Sequence, residues 1–189
     1  YTTLFRSFAI PGDITTRTGG YVYERQLLAA LRRAGRDIRH LPLPGSYPDP
    51  TPADIDATVA ALAAIPAHVP VILDGFLPGA TPPDRLRAIR APYVTVTHHP
   101  LCLETGLAPE RAAWLRATEA ANLARAAHVL VPSAHTRRVL VAEFGLDANR
   151  ITVATPGLPR PDAPRRPARR PAPGDLPEIL SVGTLHPRK

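Results

Sequence analysis

The sequence lacks several features that define common classes of protein. None of its 189 residues is Met and only Cys102 is cysteine, so neither an internal disulfide nor a thiolate zinc cluster can form. Aromatic residues make up 5% of the chain. No apolar run approaches the roughly 18 residues of a membrane span, and no secretory signal is recognisable. We therefore expect a cytoplasmic protein that is neither disulfide-rich nor embedded in a membrane.

Positive charge, in contrast, is plentiful and unevenly distributed. The formal net charge is +7, and all 23 basic residues except Lys189 are arginine, which is typical of a GC-rich, bacterial genome. Residues 155–189 hold seven basic and three acidic residues, and most of this surplus lies at 160–171. Because proline-rich segments hold an extended path, this stretch is predicted to be a semi-rigid linker. The alternative is an arm that binds nucleic acid or an acidic membrane, but no interleaved aromatic residue could stack on bases.

Short apolar runs alternate with helical patterns along the chain. Strands are predicted at 8–10, 37–43, 69–73, 93–97, 128–131 and 151–153, and helices at 20–34, 51–62, 82–90, 109–126 and 134–144. Cys102 and Trp114 are expected in or near the core. The alternation predicts an α/β fold with a Rossmann-like, mainly parallel sheet. Ligands of such sheets bind beyond the carboxyl ends of the strands, which directs attention to the residues that follow each strand.

Gly19 and Gly20 lie between the first predicted strand and its helix. Two glycines allow the backbone to approach a ligand closely, and the amides of a helix N-terminus favour an anion such as a diphosphate. A plain tight turn is the alternative. The loop is neither G-x-G-x-x-G nor a Walker motif, so a dinucleotide oxidoreductase or nucleotide-sugar epimerase is disfavoured.

Polar side chains follow three further predicted strands. A neutral imidazole at His98 or His99 could hydrogen-bond a sugar hydroxyl or transfer a proton, and Glu104 follows shortly after. Adjacent side chains on an extended segment point in opposite directions, so one histidine is expected to face a cleft while the other packs or caps. A structural role for both is the alternative. Asp74 either binds a ligand hydroxyl or caps the next turn, and Ser133 has the pattern of a helix N-cap.

Taken together, these segments resemble the N-terminal domain of family 4 glycosyltransferases. The segments that carry the resemblance occur in the family's order: residues 18–27 (TGGYVYERQL), 74–76 (DGF), 98–104 (HHPLCLE), 132–133 (PS), 151–157 (ITVATPG) and 181–189 (SVGTLHPRK). The family's arrangement, called GT-B, is two facing Rossmann-like domains. The resemblance therefore implies a first domain at 8–157, a Pro/Arg-rich linker at 158–177 and the beginning of a truncated, donor-binding domain at 178–189. Residues 1–7 resemble a translated sequencing adaptor and are expected to be a non-native scar.

The resemblance also implies an activity. The expected reaction is retaining transfer of a sugar, of the hexosyltransferase type, from a nucleotide-sugar donor to a hydroxyl of a glycan, lipid or small molecule. No metal or other cofactor and no nucleic acid partner is expected, and peripheral contact with the inner face of a membrane stays open. The alternative is a stand-alone Rossmann-like binding module that uses its Arg-rich tail.

Site residues follow from the same resemblance. The loop of Gly19 and Gly20 would lie beside the donor diphosphate and the acceptor, and His98 would line the catalytic cleft. Arg188 and Lys189 would neutralise the leaving nucleoside diphosphate. The further cleft candidates are Asp74, His99, Glu104 and Ser133. Thr184 stands where many relatives have arginine, and the family's second-domain acid pair would lie beyond Lys189, so we expect this chain to be inactive alone.

Overall fold

Six short parallel strands form the centre of the structure. The computed structural model describes residues 7–157, and the strands are β1 Ser7–Pro11, β2 Arg39–Leu43, β3 Val71–Asp74, β4 Tyr93–Val96, β5 His128–Val131 and β6 Ile151–Val153. They form one sheet in the order β2-β1-β3-β4-β5-β6, and each neighbouring pair is parallel. The predicted α/β class with a Rossmann-like sheet is confirmed.

Helices connect the strands, as parallel pairing requires. They are α1 Gly19–Arg33, α2 Pro52–Ala63, α3 Phe76–Ala80, α4 Pro83–Leu86, α5 Pro109–Arg125 and α6 Ala134–Phe144, with 3-10 turns at Leu101–Leu103 and Ala148–Arg150. Local sequence explains several ends: Thr51 and Asp54 form a reciprocal capping box at α2, and Gly35 and Gly145 have positive φ after α1 and α6.

The two faces of the sheet pack against different layers. Successive strand residues point to opposite faces, so Phe8 and Ile10 pack with Leu28 of α1, whereas Ala9 lies in the larger cluster on the other face. All of β3 is buried, as expected for a central parallel strand. No helix within residues 7–157 is long and apolar enough to cross a membrane.

Two expectations about local structure were wrong. The helix predicted at 82–90 is limited to the four residues of α4, and α3, which was not predicted, lies directly after β3. Trp114 is 39% exposed rather than in the core, and the Arg111 guanidinium lies 4.6 Å from its ring centroid. The buried face of α5 includes Leu115, one residue further along, and successive helix residues differ in direction by about 100°. Cys102 is buried, as expected.

The chain divides into two units, Tyr1–Pro156 and Gly157–Lys189. The predicted linker and second domain at 158–189, including Arg188 and Lys189, lie outside the described residues. So do residues 1–6, whereas Ser7 begins β1 and pairs with Arg39 and Val71. The origin predicted for residues 1–7 therefore stays a prediction.

Candidate active site

The candidate site lies at the point where the order of strand addition in the sheet reverses. From β1 the chain first adds β2 on one side and then returns to place β3 on the other side of β1. Open α/β sheets bind ligands at such a switch point, outside the carboxyl ends of their strands. Gly20, Asp74 and His98 follow or end the neighbouring strands β1, β3 and β4 and come together there.

The first turn of α1 lies beside the His98 ring. Thr18 caps the helix, and its hydroxyl accepts a hydrogen bond from the Tyr21 amide at 3.3 Å. A Cβ atom at Gly20 would lie 3.5 Å from Cδ2 and 3.6 Å from Nε2 of His98, in van der Waals contact. A Cβ at Gly19 would meet no atom within 4 Å, so the space in front of that residue is open. The backbone of Gly20 therefore lies beside His98, while Gly19 faces open space.

Two tyrosines fix the start of α1 at this edge. The Tyr21 hydroxyl donates to the Pro11 carbonyl at 2.7 Å, and the Tyr23 hydroxyl donates to the Ala154 carbonyl at 2.8 Å. The Tyr23 ring also meets His98 edge to face, with ring centroids 5.2 Å apart. These contacts connect α1 to the ends of β1 and β6 and hold His98 in a defined position.

His98 forms a cluster with two buried acids, Glu24 of α1 and Asp74 at the end of β3. Glu24 is fully buried and Asp74 is 4% exposed, whereas the His98 side chain keeps 29% of its surface exposed. Nε2 of His98 lies 3.7 Å from Oε1 of Glu24, and one donor atom from each of the three residues lies within 4.8 Å of the others. Asp74 Oδ1 accepts a hydrogen bond from the Phe76 amide at 2.7 Å, so Asp74 also caps the turn, as one of its two expected roles requires.

Burial controls the protonation of the cluster. Burial raises the pKa of Glu24 to about 7, and an interaction with Asp74 acts in the opposite direction. Burial, followed by the charge of Glu24, raises the pKa of Asp74 well above its usual value. Burial lowers the pKa of His98, although the nearby Asp74 opposes this. The site therefore favours a neutral imidazole, which can both donate and accept a hydrogen bond.

Glu24, Asp74 and His98 are also the group within residues 7–157 whose donor atoms could hold a metal ion together. The remaining predicted site residues lie outside this trio. Ser133 caps α6 by accepting a hydrogen bond from the Thr136 amide at 3.1 Å, as its sequence pattern predicted. His99 is exposed, and Glu104 is half-buried at the end of the 3-10 turn that follows the His98 loop.

Sequence reasoning assigned no role to Glu24. Ala30 of α1 and Ala34, which caps its end, are apolar but exposed. The buried residues are instead Glu24 and Leu28, four apart on one face. The sequence did offer a signal for Glu24. An acidic residue lies there one turn after Gly20, on the helix face that also carries Leu28.

Comparison with known proteins agrees with this geometry. The sequence model of the family described as Glycosyltransferase Family 4 matches residues 14–160, which include α1, Asp74 and His98. No curated protein matches the chain. The family match covers well more than half of the chain, and the parallel sheet with Gly20 beside His98 at its switch point is consistent with it. The protein therefore belongs to glycosyltransferase family 4, as the sequence resemblance indicated.

Proposed function

We propose that the chain is the acceptor-side half of a retaining glycosyltransferase. This enzyme would transfer a sugar, of the hexosyl type, from a nucleotide-sugar donor to a hydroxyl of a glycan, lipid or small molecule. Family membership supports glycosyl transfer in general. The observation that carries the finer proposal is the position of Gly20 beside the partly exposed His98 at the carboxyl edge of the sheet.

The Gly19–Gly20 turn is suited to receive the donor diphosphate. It opens the 15-residue helix α1, whose positive dipole end and first amides favour an anion. The open space at Gly19 allows a phosphate group to approach the backbone. We propose that the leaving diphosphate lies here, where the charge that develops on it is stabilised.

His98 is proposed to line the cleft and to hydrogen-bond a sugar hydroxyl. Its imidazole is held by Tyr23 and Glu24 on its buried side and reaches solvent with the rest of its surface. In retaining transfer the acceptor attacks the face from which the diphosphate departs, and domain closure excludes water. We propose that Arg188 and Lys189 neutralise the leaving group, Arg188 with a planar fork and Lys189 as a point charge.

The proposal extends to the organisation of the whole enzyme. Residues 158–177 would link this domain to a donor-binding domain that begins near residue 178. The chain alone would be inactive, because the acid pair implied by the resemblance would lie beyond Lys189. We propose that the enzyme acts in the cytoplasm and does not bind nucleic acid.

The test begins by sequencing the source DNA outward from both ends of the reading frame. The extended protein is then supplied with nucleotide sugars and a mixed panel of hydroxyl acceptors. Release of nucleoside diphosphate is measured, and the anomeric configuration of the product is determined by NMR. We expect acceptor-dependent release, retained configuration, and at least about a hundredfold lower kcat/KM in His98→Ala.

His68→Ala provides the matched control, because His68 is an exposed histidine that precedes β3, at the opposite edge of the sheet. This variant should keep the activity. An inverted product would contradict retention, and equal activity of His98→Ala and the parent protein would contradict the assigned site. If an extended protein neither binds nor cleaves any nucleotide sugar, the proposed function is wrong.

A further inference from the structure

We propose that the cavity beside Trp114 binds a pyranose ring, and that this ring is a sugar residue of the acceptor other than the one that receives the transferred sugar. The cavity has a volume of about 270 Å³ and lies between the beginnings of α2 and α5 and the end of α3. The inference rests on the proposed function and narrows it, because it selects an acceptor that already carries sugar.

Trp114 gives the cavity an aromatic wall. The residue is 39% exposed, and the Arg111 guanidinium lies 4.6 Å from its ring centroid, so Arg111 covers one face of the ring while Trp114 still lines the cavity. The face of an aromatic ring carries partial negative charge, which attracts the C–H groups on the apolar face of a pyranose. A sugar stacked here would also remove from water apolar surface that the fold leaves exposed.

Two charged side chains at the same wall can form hydrogen bonds with a sugar. Arg111 donates through Nη2 to the Pro48 carbonyl at 3.0 Å and to Oδ1 of Asp49 at 2.9 Å. Within residues 7–157 no hydrogen bond is made by Nε or Nη1 of Arg111 or by Oδ2 of Asp49. Sugar hydroxyls both donate and accept, so a neighbouring donor and acceptor that hold each other in place suit them. The negative charge of Asp49 disfavours a phosphate at the same place.

The remaining walls and the size of the cavity fit a single sugar unit. Ile55, Ala80 and Pro82 supply apolar surface opposite the polar pair. Sites for small molecules are mostly apolar with a few placed polar groups, and they usually measure about 300 to 1,000 Å³. This cavity lies just below that range, so it is better suited to one pyranose than to a peptide or a nucleotide.

The cavity adjoins the elements that carry His98. The helices α2 and α5 each lead from the carboxyl end of one strand into the next, so their early turns lie toward the sheet edge where His98 lies. Ala80 lines the cavity, and a Cβ atom at the preceding Gly79 would lie 2.6 Å from Cδ1 of Leu101, three residues after His98. An acceptor glycan would therefore place its reacting residue at His98 and a further residue on Trp114.

The experiment uses the fluorescence of Trp114, which is the only tryptophan of the chain and so reports on this cavity alone. The purified 189-residue chain is titrated with the methyl pyranosides of glucose, mannose, galactose and N-acetylglucosamine. Sorbitol, which has the hydroxyls but no ring, is the control ligand. We expect a saturable change in emission with at least one pyranoside, with a Kd of roughly 1–10 mM, and none with sorbitol.

Saturation-transfer NMR with the same pyranoside compares variants, because it needs no tryptophan. Trp114→Ala should weaken binding at least about tenfold, Trp114→Phe should weaken it less because a ring remains, and Arg111→Gln should weaken it several-fold. Arg116→Gln is the matched control, because Arg116 also lies on α5, over the Phe144 ring and paired with Glu143, but does not line the cavity. It should bind as the parent does.

Circular dichroism checks the fold of each variant, and Arg111→Gln decides the test if Trp114→Ala does not fold. The proposal is overturned if no pyranoside changes the emission well above millimolar concentration, or if these two variants bind as tightly as the parent. If the chain binds a pyranoside but the extended protein transfers no sugar, the proposed function fails and the pyranose site remains. If the extended protein transfers sugar but the chain binds no pyranoside, the pyranose site fails and the proposed function remains.

Discussion

A second buried acid, Glu119 of α5, supports the loop that carries His98. Glu119 is 1% exposed, and its Oε2 accepts a hydrogen bond from the Leu101 amide at 3.1 Å. Burial raises the pKa of Glu119 to about 8, although the Leu101 amide and the charge of Arg116 act in the opposite direction. Because Leu101 lies three residues after His98, this carboxyl fixes one end of the histidine loop.

The protonation of Glu119 should make stability depend on pH. The folded chain keeps its proton up to about pH 8, whereas the unfolded chain loses it near 4.5, so the free energy of unfolding falls as pH rises between these values. Glu119→Gln removes this contribution and keeps an oxygen for the Leu101 amide. We expect the variant to gain about 2–4 kcal/mol over the parent between pH 5 and pH 8.

Urea unfolding followed by circular dichroism at pH 5, 6.5 and 8 measures this difference. Glu110→Gln, an exposed position on the same helix, is the control and should leave the pH dependence of the parent unchanged. Parallel curves for the parent and Glu119→Gln would show that Glu119 does not hold its proton in the folded chain.

A separate test can distinguish a helix-capping role of Ser133 from a role in the cleft. Its hydroxyl accepts from the Thr136 amide, so Ser133→Ala should lower the free energy of unfolding by about 1 kcal/mol. Ser133→Asp should restore most of this loss, because aspartate is an equally good N-cap. Thermal and urea unfolding measure both changes. A Ser133→Ala variant as stable as the parent would remove the evidence for a structural role.

At the scale of elements, the start of α3 lies close to the end of β4 at Gly75. A Cβ atom at this position would lie 2.8 Å from the Val96 carbonyl oxygen and 3.2 Å from Cα of Thr97. Both atoms belong to the backbone, which cannot move aside as the end of a side chain can. Glycine therefore permits the immediate turn from β3 into α3 that places Asp74 at the site.

Gly75→Ala should consequently destabilise the fold. We expect a loss of about 2 kcal/mol, within the range for an overpacked core position. Gly19→Ala is the matched control, since its Cβ would meet no atom within 4 Å, and it should change stability by less than about 0.5 kcal/mol. Urea unfolding of the two variants provides the comparison. Equal effects would mean that the close approach at Gly75 is relieved by movement of α3.

The same elements show what the sequence can reveal. Thr51 was sufficient to predict where α2 begins, and Gly145 where α6 ends. Capping and positive φ are local properties, so the sequence shows them directly. No helix was predicted where α3 lies, and Pro78 and Gly79 within it have low helix propensity, whereas packing against α5 stabilises this short helix. Tertiary packing overrides local preference there.

The residues of the site also divide into those that sequence reasoning selected and one that it missed. The rule that ligands bind beyond carboxyl strand ends directed attention to Gly20, Asp74 and His98, which the structure brings together, since the rule needs only the strand order along the chain. Glu24 could not be placed by that rule because it lies within a helix. Its role depends on how α1 packs on the sheet, which a helical pattern alone determines only to within a turn.

At the scale of the whole molecule, residues 1–154 and residues 155–189 differ in their balance of charge. Residues 1–154 hold sixteen basic and thirteen acidic residues, so they are nearly balanced, whereas residues 155–189 hold seven and three. A protein that binds nucleic acid usually gathers basic residues on a contact surface and adds aromatic platforms for bases. The arginines of 160–170 alternate with prolines instead, which favours the spacer over the binding arm.

We therefore expect no specific binding of nucleic acid or acidic membrane by this tail. Fluorescence anisotropy with labelled single-stranded DNA, and sedimentation with vesicles containing anionic lipid, should show no saturable binding at about 150 mM salt. Weak binding at low salt should disappear as salt rises, because counterion release is its only driving force. A variant with glutamine at Arg160, Arg165, Arg166, Arg169 and Arg170 should behave as the parent does at about 150 mM salt. Saturable binding by the parent that this variant loses would instead establish the tail as a binding arm, and the linker role proposed for residues 158–177 would be wrong.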